Sequence, residues 1–247
     1  GGDNNSGLMI SGFMNVTGNM ASGLHFSGVA NITGQSFGGL MASGLLNVVG
    51  EHMNGLQIAG IANITASKLN GVQVALCNYA TKARGLQIGL VNYYKEDMKG
   101  FQLGLVNANP DTKVQMMVYG GNATPANIGV RFKNQLFYTI LGVGSMYQGL
   151  NDKFSASASY RAGLSFPLYK GLSISGDLGY QYIEAFDNKD EVIPKRLYAL
   201  QARANLEYQF TRKFGIFATG GYGLTRFYNK SSNYDKGAII EAGIVLF

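Results

Sequence analysis

Several residue types are scarce in this chain of 247 residues, and each shortage excludes a class of protein. Charged residues make up only 14%, which fits neither a soluble enzyme nor a disordered segment. Proline numbers 4 and tryptophan is absent, while Gly numbers 35, Tyr 15 and Phe 14. No stretch approaches the ~18 apolar residues of a transmembrane helix. Abundant Gly and aromatic residues with little charge therefore favour an all-β protein.

Residues that carry chemistry are scarce too. Cys77 is the only cysteine, so an internal disulfide is excluded, and its place in the chain indicates a packing residue. The two histidines, His25 and His52, have no second His or Cys at ligand spacing. The part after residue 112 has no His for a Ser–His–Asp triad. We therefore expect a non-enzymatic protein with no catalytic, cofactor-binding or metal residues and no cofactor. The net charge of +6 forms no basic cluster, so no nucleic-acid partner is expected.

Residues 1–112 contain about seven repeats of 14–16 residues. Each copy starts on a Gly followed by an apolar residue: Gly7, Gly23, Gly39, Gly55, Gly71, Gly85 and Gly100. Each copy also carries an Asn at a matching place: Asn15, Asn31, Asn47, Asn63, Asn78, Asn92 and Asn107. A fixed period with matched landmarks indicates one structural unit per copy.

Inside each copy, apolar and polar residues alternate with period two, which is the pattern of a strand. Leu24 and Phe26 share one face, for example, and His25 and Ser27 share the other. In a β-solenoid, each copy would be one coil with its apolar face inward and its Asn in a ladder of side-chain hydrogen bonds. In an antiparallel barrel, each copy would be one strand plus a turn, giving one larger barrel of ~14–16 strands. The solenoid is favoured, because it gives every copy the same orientation.

The clearest copies lie between Gly85 and Asn107 and read GLQIGLVNYYKEDMKGFQLGLVN. They resemble the GLQIGLVN-type surface repeats of envelope proteins in Gram-negative bacteria. The resemblance covers about residues 7–109, although Met9, His25 and Met41 replace the expected Gln in early copies. It implies a surface or envelope location and brings no known chemistry.

Beyond residue 112 the repeat gives way to eight longer alternating segments: 114–121, 127–132, 136–147, 155–168, 172–185, 197–210, 214–228 and 238–247. Most reach the ~9–11 residues of a tilted membrane strand. Tyr and Phe cluster near the segment ends, as at a membrane interface. Short turns alternate with longer polar links at 187–195 and 229–236. We therefore predict an eight-stranded antiparallel transmembrane barrel over residues 113–247, which resembles the small OmpA/OmpX-type barrels in architecture.

The interior of an eight-stranded barrel has room only for side chains. We therefore predict no conducting pore and an internal ion-pair network of Arg131, Arg161, Asp177, Arg203 and Glu207. Phe247, at the end of an alternating strand, resembles the insertion signal that barrel-assembly machinery recognises. If Phe247 faces lipid, strict alternation puts Glu241 on the same face, so that a bulge or a shift in facing is needed.

These features predict an outer-membrane protein of a Gram-negative bacterium, shown as a mature chain without its signal peptide. The expected partners are outer-membrane lipid, another envelope protein and, during insertion, barrel-assembly machinery. The expected function is that of an accessory, adaptor or plug subunit of a larger outer-membrane complex for secretion, transport or barrel assembly. A porin-like channel is the alternative, in case the repeats add membrane strands. An outer-membrane enzyme is the second alternative.

Overall fold

The structure, a computed structural model, describes residues 4–145, 147, 150, 154–186, 196–228 and 233–247. The chain divides into two compact units, Gly1–Asp111 and Thr112–Phe247. The predicted fold is confirmed, since a solenoid-like repeat unit is followed by a closed eight-stranded antiparallel barrel. The predicted link 187–195 and the first part of the second link, 229–232, lie outside the described residues. Within the described ranges, no helix is long and apolar enough to cross a membrane.

The repeat unit consists of short strands that stack coil upon coil. Their bounds are β1 (Asn4–Ser11), β2 (Met14–Thr17), β3 (Met20–Ser27), β4 (Ala30–Thr33), β5 (Phe37–Ser43), β6 (Leu46–Val49), β7 (His52–Ala59), β8 (Ala62–Val74), β9 (Cys77–Ile88), β10 (Val91–Leu103) and β11 (Val106–Ala108). Strands β1, β3, β5 and β7 pair in parallel and build one side of the coils. Strands β2, β4, β6 and the start of β8 pair in parallel on the other side. Parallel pairing excludes the alternative of antiparallel membrane strands, and with it the larger barrel.

The leading glycines of the repeat stack directly on one another, with Gly39 paired to Gly55 and Gly55 to Gly71. Gly55 has a φ of 134°, and a Cβ added there would lie 2.0 Å from the carbonyl oxygen of Gly39. A side chain at this position is thus excluded both by its backbone conformation and by the neighbouring coil. This close approach explains why each copy begins on Gly.

The apolar face of the repeat points outward, so the prediction that it points into the solenoid is wrong. Leu24 is 46% exposed, whereas His25 and Asn31 are 1% and 0% exposed. The interior holds columns of Asn, Gln and Thr beside one apolar cluster of Ala21, Phe37, Met41, Val49, Met53, Leu69, Ala80 and Ala83. The physical reason is that stacked amide side chains bond each other and the coil backbone, which fills the narrow interior with satisfied polar groups. Cys77 lies on the outward face and is exposed, so its interpretation as a packing residue is wrong.

The barrel is a simple antiparallel meander. Its strands are β12 (Lys113–Gly121), β13 (Ala126–Asn134), β14 (Phe137–Ser145), β15 (Ser155–Tyr169), β16 (Leu172–Ala185), β17 (Arg196–Thr211), β18 (Phe214–Phe227) and β19 (Asn233–Leu246). Each strand pairs with the next, and β12 pairs with β19 to close the barrel. Two-residue turns join β13 to β14, β15 to β16 and β17 to β18. At one of them, Lys170 and Gly171 have φ values of 33° and 87°, as a tight hairpin turn requires.

Candidate functional site

Charged side chains of the barrel strands point inward and form three ion pairs. Arg161 Nε and Nη2 donate to the two carboxylate oxygens of Asp177, each at 2.8 Å. Arg131 donates to both oxygens of Glu207, at 2.6 and 3.0 Å. Arg203 donates to both oxygens of Glu241, at 3.1 Å each. All six residues are buried. Three arginines therefore meet three carboxylates, and the buried charges of these pairs cancel.

Neutral polar groups complete the shell of Asp177. The Tyr138 hydroxyl and Asn205 Nδ2 each donate to its Oδ2 at 2.8 Å. Thr219 in turn donates to Asn205 Oδ1 at 2.7 Å. A buried carboxylate that accepts hydrogen bonds from a guanidinium, a phenol and an amide has its lone pairs satisfied. This network joins strands β14, β15, β16, β17 and β18 across the interior.

The interior around these pairs is filled. A cavity of about 10 Å³ lies between Arg131, Tyr138, Arg161 and their neighbours, and it has room for about one water molecule. Toward the two-residue turns the space contains a cluster of Met117, Tyr119, Tyr138, Ile140, Phe217 and Val245. Toward the opposite end it contains Tyr147, Leu150, Ile183, Ala185, Leu197 and Ala199. Side chains thus occupy the middle of the described interior and the part toward the two-residue turns, whereas a cavity of about 420 Å³ lies beside Tyr147, Gln201 and Thr225 toward the opposite end.

The five residues named from the sequence for the interior all lie inside the barrel, although none of them forms an ion pair with the residue directly opposite it in the sheet. Asp177 is directly opposite Arg203 in the register of β16 and β17, yet it bonds Arg161 instead. Sequence reasoning missed Glu241, Tyr138 and Asn205. Glu241 had a usable signal, because it is a charged residue in a strand whose alternation from Val245 places it inside.

The structure places Phe247 on the interior side of β19. Val245 and Glu241 are buried inside the barrel, and Phe247 packs against the cluster that contains Val245. Its backbone amide donates to Lys213 O at 3.2 Å. No bulge is therefore needed to keep Glu241 out of lipid, because Glu241 and Phe247 share the interior face. The role of Phe247 as an insertion signal stays a prediction.

The seven predicted Asn residues lie in one continuous column in the repeat unit. Each Nδ2 donates to Oδ1 of the Asn in the next coil, at 2.9–3.1 Å, from Asn15 to Asn107. The same Nδ2 groups also reach backbone carbonyls, as Asn63 does to Val74 O at 3.0 Å. Five of the rungs, from Asn15 to Asn78, therefore link a coil to its neighbour twice, once through the Asn side chain and once through a backbone carbonyl of the neighbouring coil.

The later coils contain a second column, made of Gln side chains, in addition to the Asn column. Gln102, Gln87 and Gln73 each donate to the Gln of the preceding coil at 2.9 Å. His25 occupies the corresponding place in an early coil. Its Nε2 is buried, and it makes no hydrogen bond within the part of the chain that the structure describes. Burial lowers the pKa of His25 from its ordinary value of 6.5.

No group of three or more His, Cys, Asp or Glu side chains within the described ranges could hold a metal ion. The candidate site consists of two polar networks, one in each unit.

No family model and no curated protein matches the chain. Among solved structures, the chain is similar to the N-terminal β-barrel domain of Pseudomonas aeruginosa OprF, at 17% identity and a TM-score of 0.36 over 54% of this chain and 93% of that one. It is also similar to Neisserial surface protein A, at 9% identity and a TM-score of 0.34 over 54% of this chain and 92% of that one. The resemblance of residues 7–109 to bacterial surface repeats stays a prediction.

Proposed function

We propose that this chain is a non-enzymatic outer-membrane protein of a Gram-negative bacterium, in which a closed barrel anchors the repeat unit as the adaptor of a larger envelope complex. The observation that carries the proposal is the outer surface of the barrel. Leu178 is 71% exposed, and the strands of the barrel carry other exposed aliphatic residues as well: Ile128, Val143, Leu164, Ile174, Leu200, Leu206, Ile216 and Ile240. A soluble barrel has its apolar residues inside, whereas a membrane barrel presents them to lipid.

Exposed aromatic residues lie on both sides of this aliphatic band. Phe166, Tyr169, Tyr208, Phe210 and Phe214 lie toward the two-residue turns, and Phe154, Tyr180, Phe186, Tyr222 and Tyr228 lie toward the other end. On β17, the ten-residue step from Tyr198 to Tyr208 covers roughly 34 Å along the strand. At a tilt of ~40° this is about 26 Å along the barrel axis, close to the ~25 Å apolar band of outer-membrane barrels. The two aromatic groups are spaced as a pair of interfacial girdles would be.

The filled interior supports an anchor rather than a channel. Three buried ion pairs cross the middle of the barrel, and the cavity beside them measures about 10 Å³. An eight-stranded barrel of this kind leaves no path for hydrated ions. The repeat unit supplies the adaptor surface, since its charged side chains are gathered where partner proteins could reach them. The partners we propose are outer-membrane lipid, another envelope protein and, during insertion, barrel-assembly machinery.

The anchor role is tested by folding the full chain into lipid vesicles. A folded barrel is expected to migrate differently on electrophoresis before and after heating, and to give no single-channel conductance in a planar bilayer. As a control, removal of the central charges in an Arg161→Ala, Asp177→Ala variant would create space but leave the outer surface unchanged. Steps of conductance from the unmodified protein would overturn the anchor role and favour a channel.

The adaptor role is tested by photo-crosslinking in native membranes. A photoreactive residue replaces Arg84, which lies on the exposed return segment of one coil, and a second variant carries it at Tyr169 on the barrel surface. We expect a specific protein adduct from position 84 and lipid adducts from position 169. If position 84 gives no protein adduct in native membranes, the adaptor role fails.

A further inference from the structure

One edge of the repeat unit is lined by outward-facing apolar residues from all seven coils. Each follows the inner Gly, or Ala75 in its place, at the turn between the two sheets. Together they form the apolar edge: Phe13, Val29, Leu45, Ile61, Leu76, Leu90 and Leu105. Phe13, Ile61 and Leu76 are 65%, 51% and 48% exposed. Outward residues of the adjoining strands, such as Leu24 and Ile58, widen the surface. A continuous apolar surface of this size is rare on a protein that meets only water.

Charged residues are gathered on the return segments, where each coil passes back to the first sheet. We call these residues the charged edge. They are all the Asp, Glu, Lys and Arg residues between residues 4 and 109: Glu51, Lys68, Lys82, Arg84, Lys95, Glu96, Asp97 and Lys99. Each lies after the second strand segment of a coil and before the next leading Gly. The segments that run from each leading Gly through the Asn contain no charge at all. The cross-section of the coils is therefore amphipathic, with one apolar and one charged edge.

The backbone at the apolar edge meets the condition for burial in hydrocarbon. The amide of Leu45 donates to Val29 O at 3.0 Å, that of Ile61 to Leu45 O at 2.9 Å, and that of Leu90 to Leu76 O at 2.8 Å. The carbonyls just before the turns accept from the Asn column inside, as Ile58 O does from Asn47 at 2.7 Å. Lipid offers no hydrogen bonds, so only backbone that is satisfied internally can enter it.

We propose that the apolar edge of the repeat unit inserts into one leaflet of the membrane, with the charged edge in water. The inference rests on the proposed outer-membrane function, because the barrel brings the chain to the bilayer and only residues 109–112 separate β11 from β12. Seven turns about 4.8 Å apart give an edge roughly 29 Å long. Its insertion reaches the depth of an amphipathic helix at an interface, roughly 5–10 Å.

A protein partner fits the apolar edge less well than lipid does. Interfaces between proteins combine an apolar centre with a polar rim and hydrogen bonds across the contact. The apolar edge offers apolar side chains along its whole length and backbone groups that are already bonded. Acyl chains require neither a rim nor donors and acceptors, so a lipid leaflet is the occupant that these features select.

The native Cys77 provides the test, since it is the only thiol and lies exposed beside Leu76. The full chain, labelled at Cys77 with a nitroxide, is reconstituted in lipid vesicles. Collision rates are measured with oxygen, which concentrates in lipid, and with a neutral nickel chelate, which stays in water. Two matched proteins in a Cys77→Ser background carry the label at Lys82→Cys, on the charged edge of the same coil, and at Leu178→Cys, on the barrel surface.

We expect the labels at positions 77 and 178 to collide at least several-fold more often with oxygen than with nickel, and the label at 82 to show the reverse. If the label at 77 collides freely with nickel while that at 178 lies in lipid, the insertion of the edge is refuted and the barrel anchor stands. Shielding of position 77 from both reagents would mean a protein contact and would also refute it. If position 178 is water-exposed as well, the proposed outer-membrane function itself fails.

Discussion

Removing the carboxylate of Asp177 should destabilise the barrel far more than removing an exposed one. Asp177→Asn keeps the size of the side chain and an oxygen that can accept from Tyr138 and Asn205. It leaves the Arg161 guanidinium buried with no carboxylate within hydrogen-bonding distance, because Glu241 lies 3.9 Å away and already pairs with Arg203. Breaking a buried pair from one side costs about 3–5 kcal/mol in the free energy of unfolding.

A double-mutant cycle also removes the charge of Arg161. Arg161→Met alone leaves the Asp177 carboxylate buried without its cation, so we expect a loss of the same size. In the double variant, no uncompensated charge remains. The double variant should therefore lose at least ~2 kcal/mol less in the free energy of unfolding than the sum of the two single losses.

The assay is urea unfolding in detergent or vesicles, followed by far-UV circular dichroism and by the heat-modifiable band, because the chain has no Trp for fluorescence. The matched control is Glu184→Gln, which breaks a partly exposed pair between Glu184 on β16 and Arg196 on β17, 3.5 Å apart. That change should cost no more than ~1 kcal/mol. Equal effects of Asp177→Asn and Glu184→Gln, or strict additivity in the cycle, would refute the idea of an interior held by coupled ion pairs.

Three predictions concern the repeat unit, each measured by hydrogen exchange of its peptides in the full chain. Gly55→Ala should lower the free energy of unfolding by more than ~1–3 kcal/mol, since it combines a strained φ with a backbone clash. Gly38→Ala, which has open space for a Cβ, should change little, and equal effects of the two would contradict the close stacking of the leading glycines. Because burial lowers the pKa of His25, the unfolded chain takes up a proton that the folded chain resists, so stability is full above pH 6.5 and declines as the pH falls below it toward the folded-state pKa. His25→Gln should remove this dependence, and an unchanged pH profile would show that another group causes it. Asn63→Leu should lower the free energy of unfolding by at least ~2 kcal/mol, because its buried hydrogen-bond partners lose their bonds. Asn70→Ala, which removes an exposed Asn pair, should cost under ~1 kcal/mol. A reversed order would contradict the buried column.

The sequence was sufficient for the barrel because its strands are long and alternate cleanly. Leu206 and Glu207 are neighbours that must face opposite ways, and eight such segments with short turns have few ways to close. Alternation does not say which of the two faces is inside. The partners of the buried charges could not be predicted from the sequence either. Arg161 has three inward carboxylates within a few strands, and its pairing with Asp177 depends on the stagger of the barrel.

The apolar face of the repeat was wrongly predicted to point inward, although the sequence contains the pattern that indicates the opposite. A residue repeated in every coil stacks on itself, and Asn63 can both donate to and accept from its copies in the neighbouring coils. An unbroken Asn column therefore marks the interior more reliably than apolar character does. The shorter corner of the later coils also changes the phase of the alternation, since Gln73 and Ala75 are buried at odd positions before it and Asn78 and Ala80 at even positions after it. Strict period two cannot be carried across a coil's corner.

The central claim is that β17 and its neighbours span a bilayer with their apolar side outward. It is tested most directly by placing nitroxide labels, one at a time in a Cys77→Ser background, at Tyr198, Leu200, Ala204, Leu206 and Tyr208 in vesicles. All five face outward, so the buried ion pairs stay intact. The account predicts that the ratio of oxygen to nickel collisions rises from Tyr198 to a maximum near Ala204 and falls again by Tyr208. Equal nickel access at all five positions would mean that the barrel lies in water, and the account would be wrong.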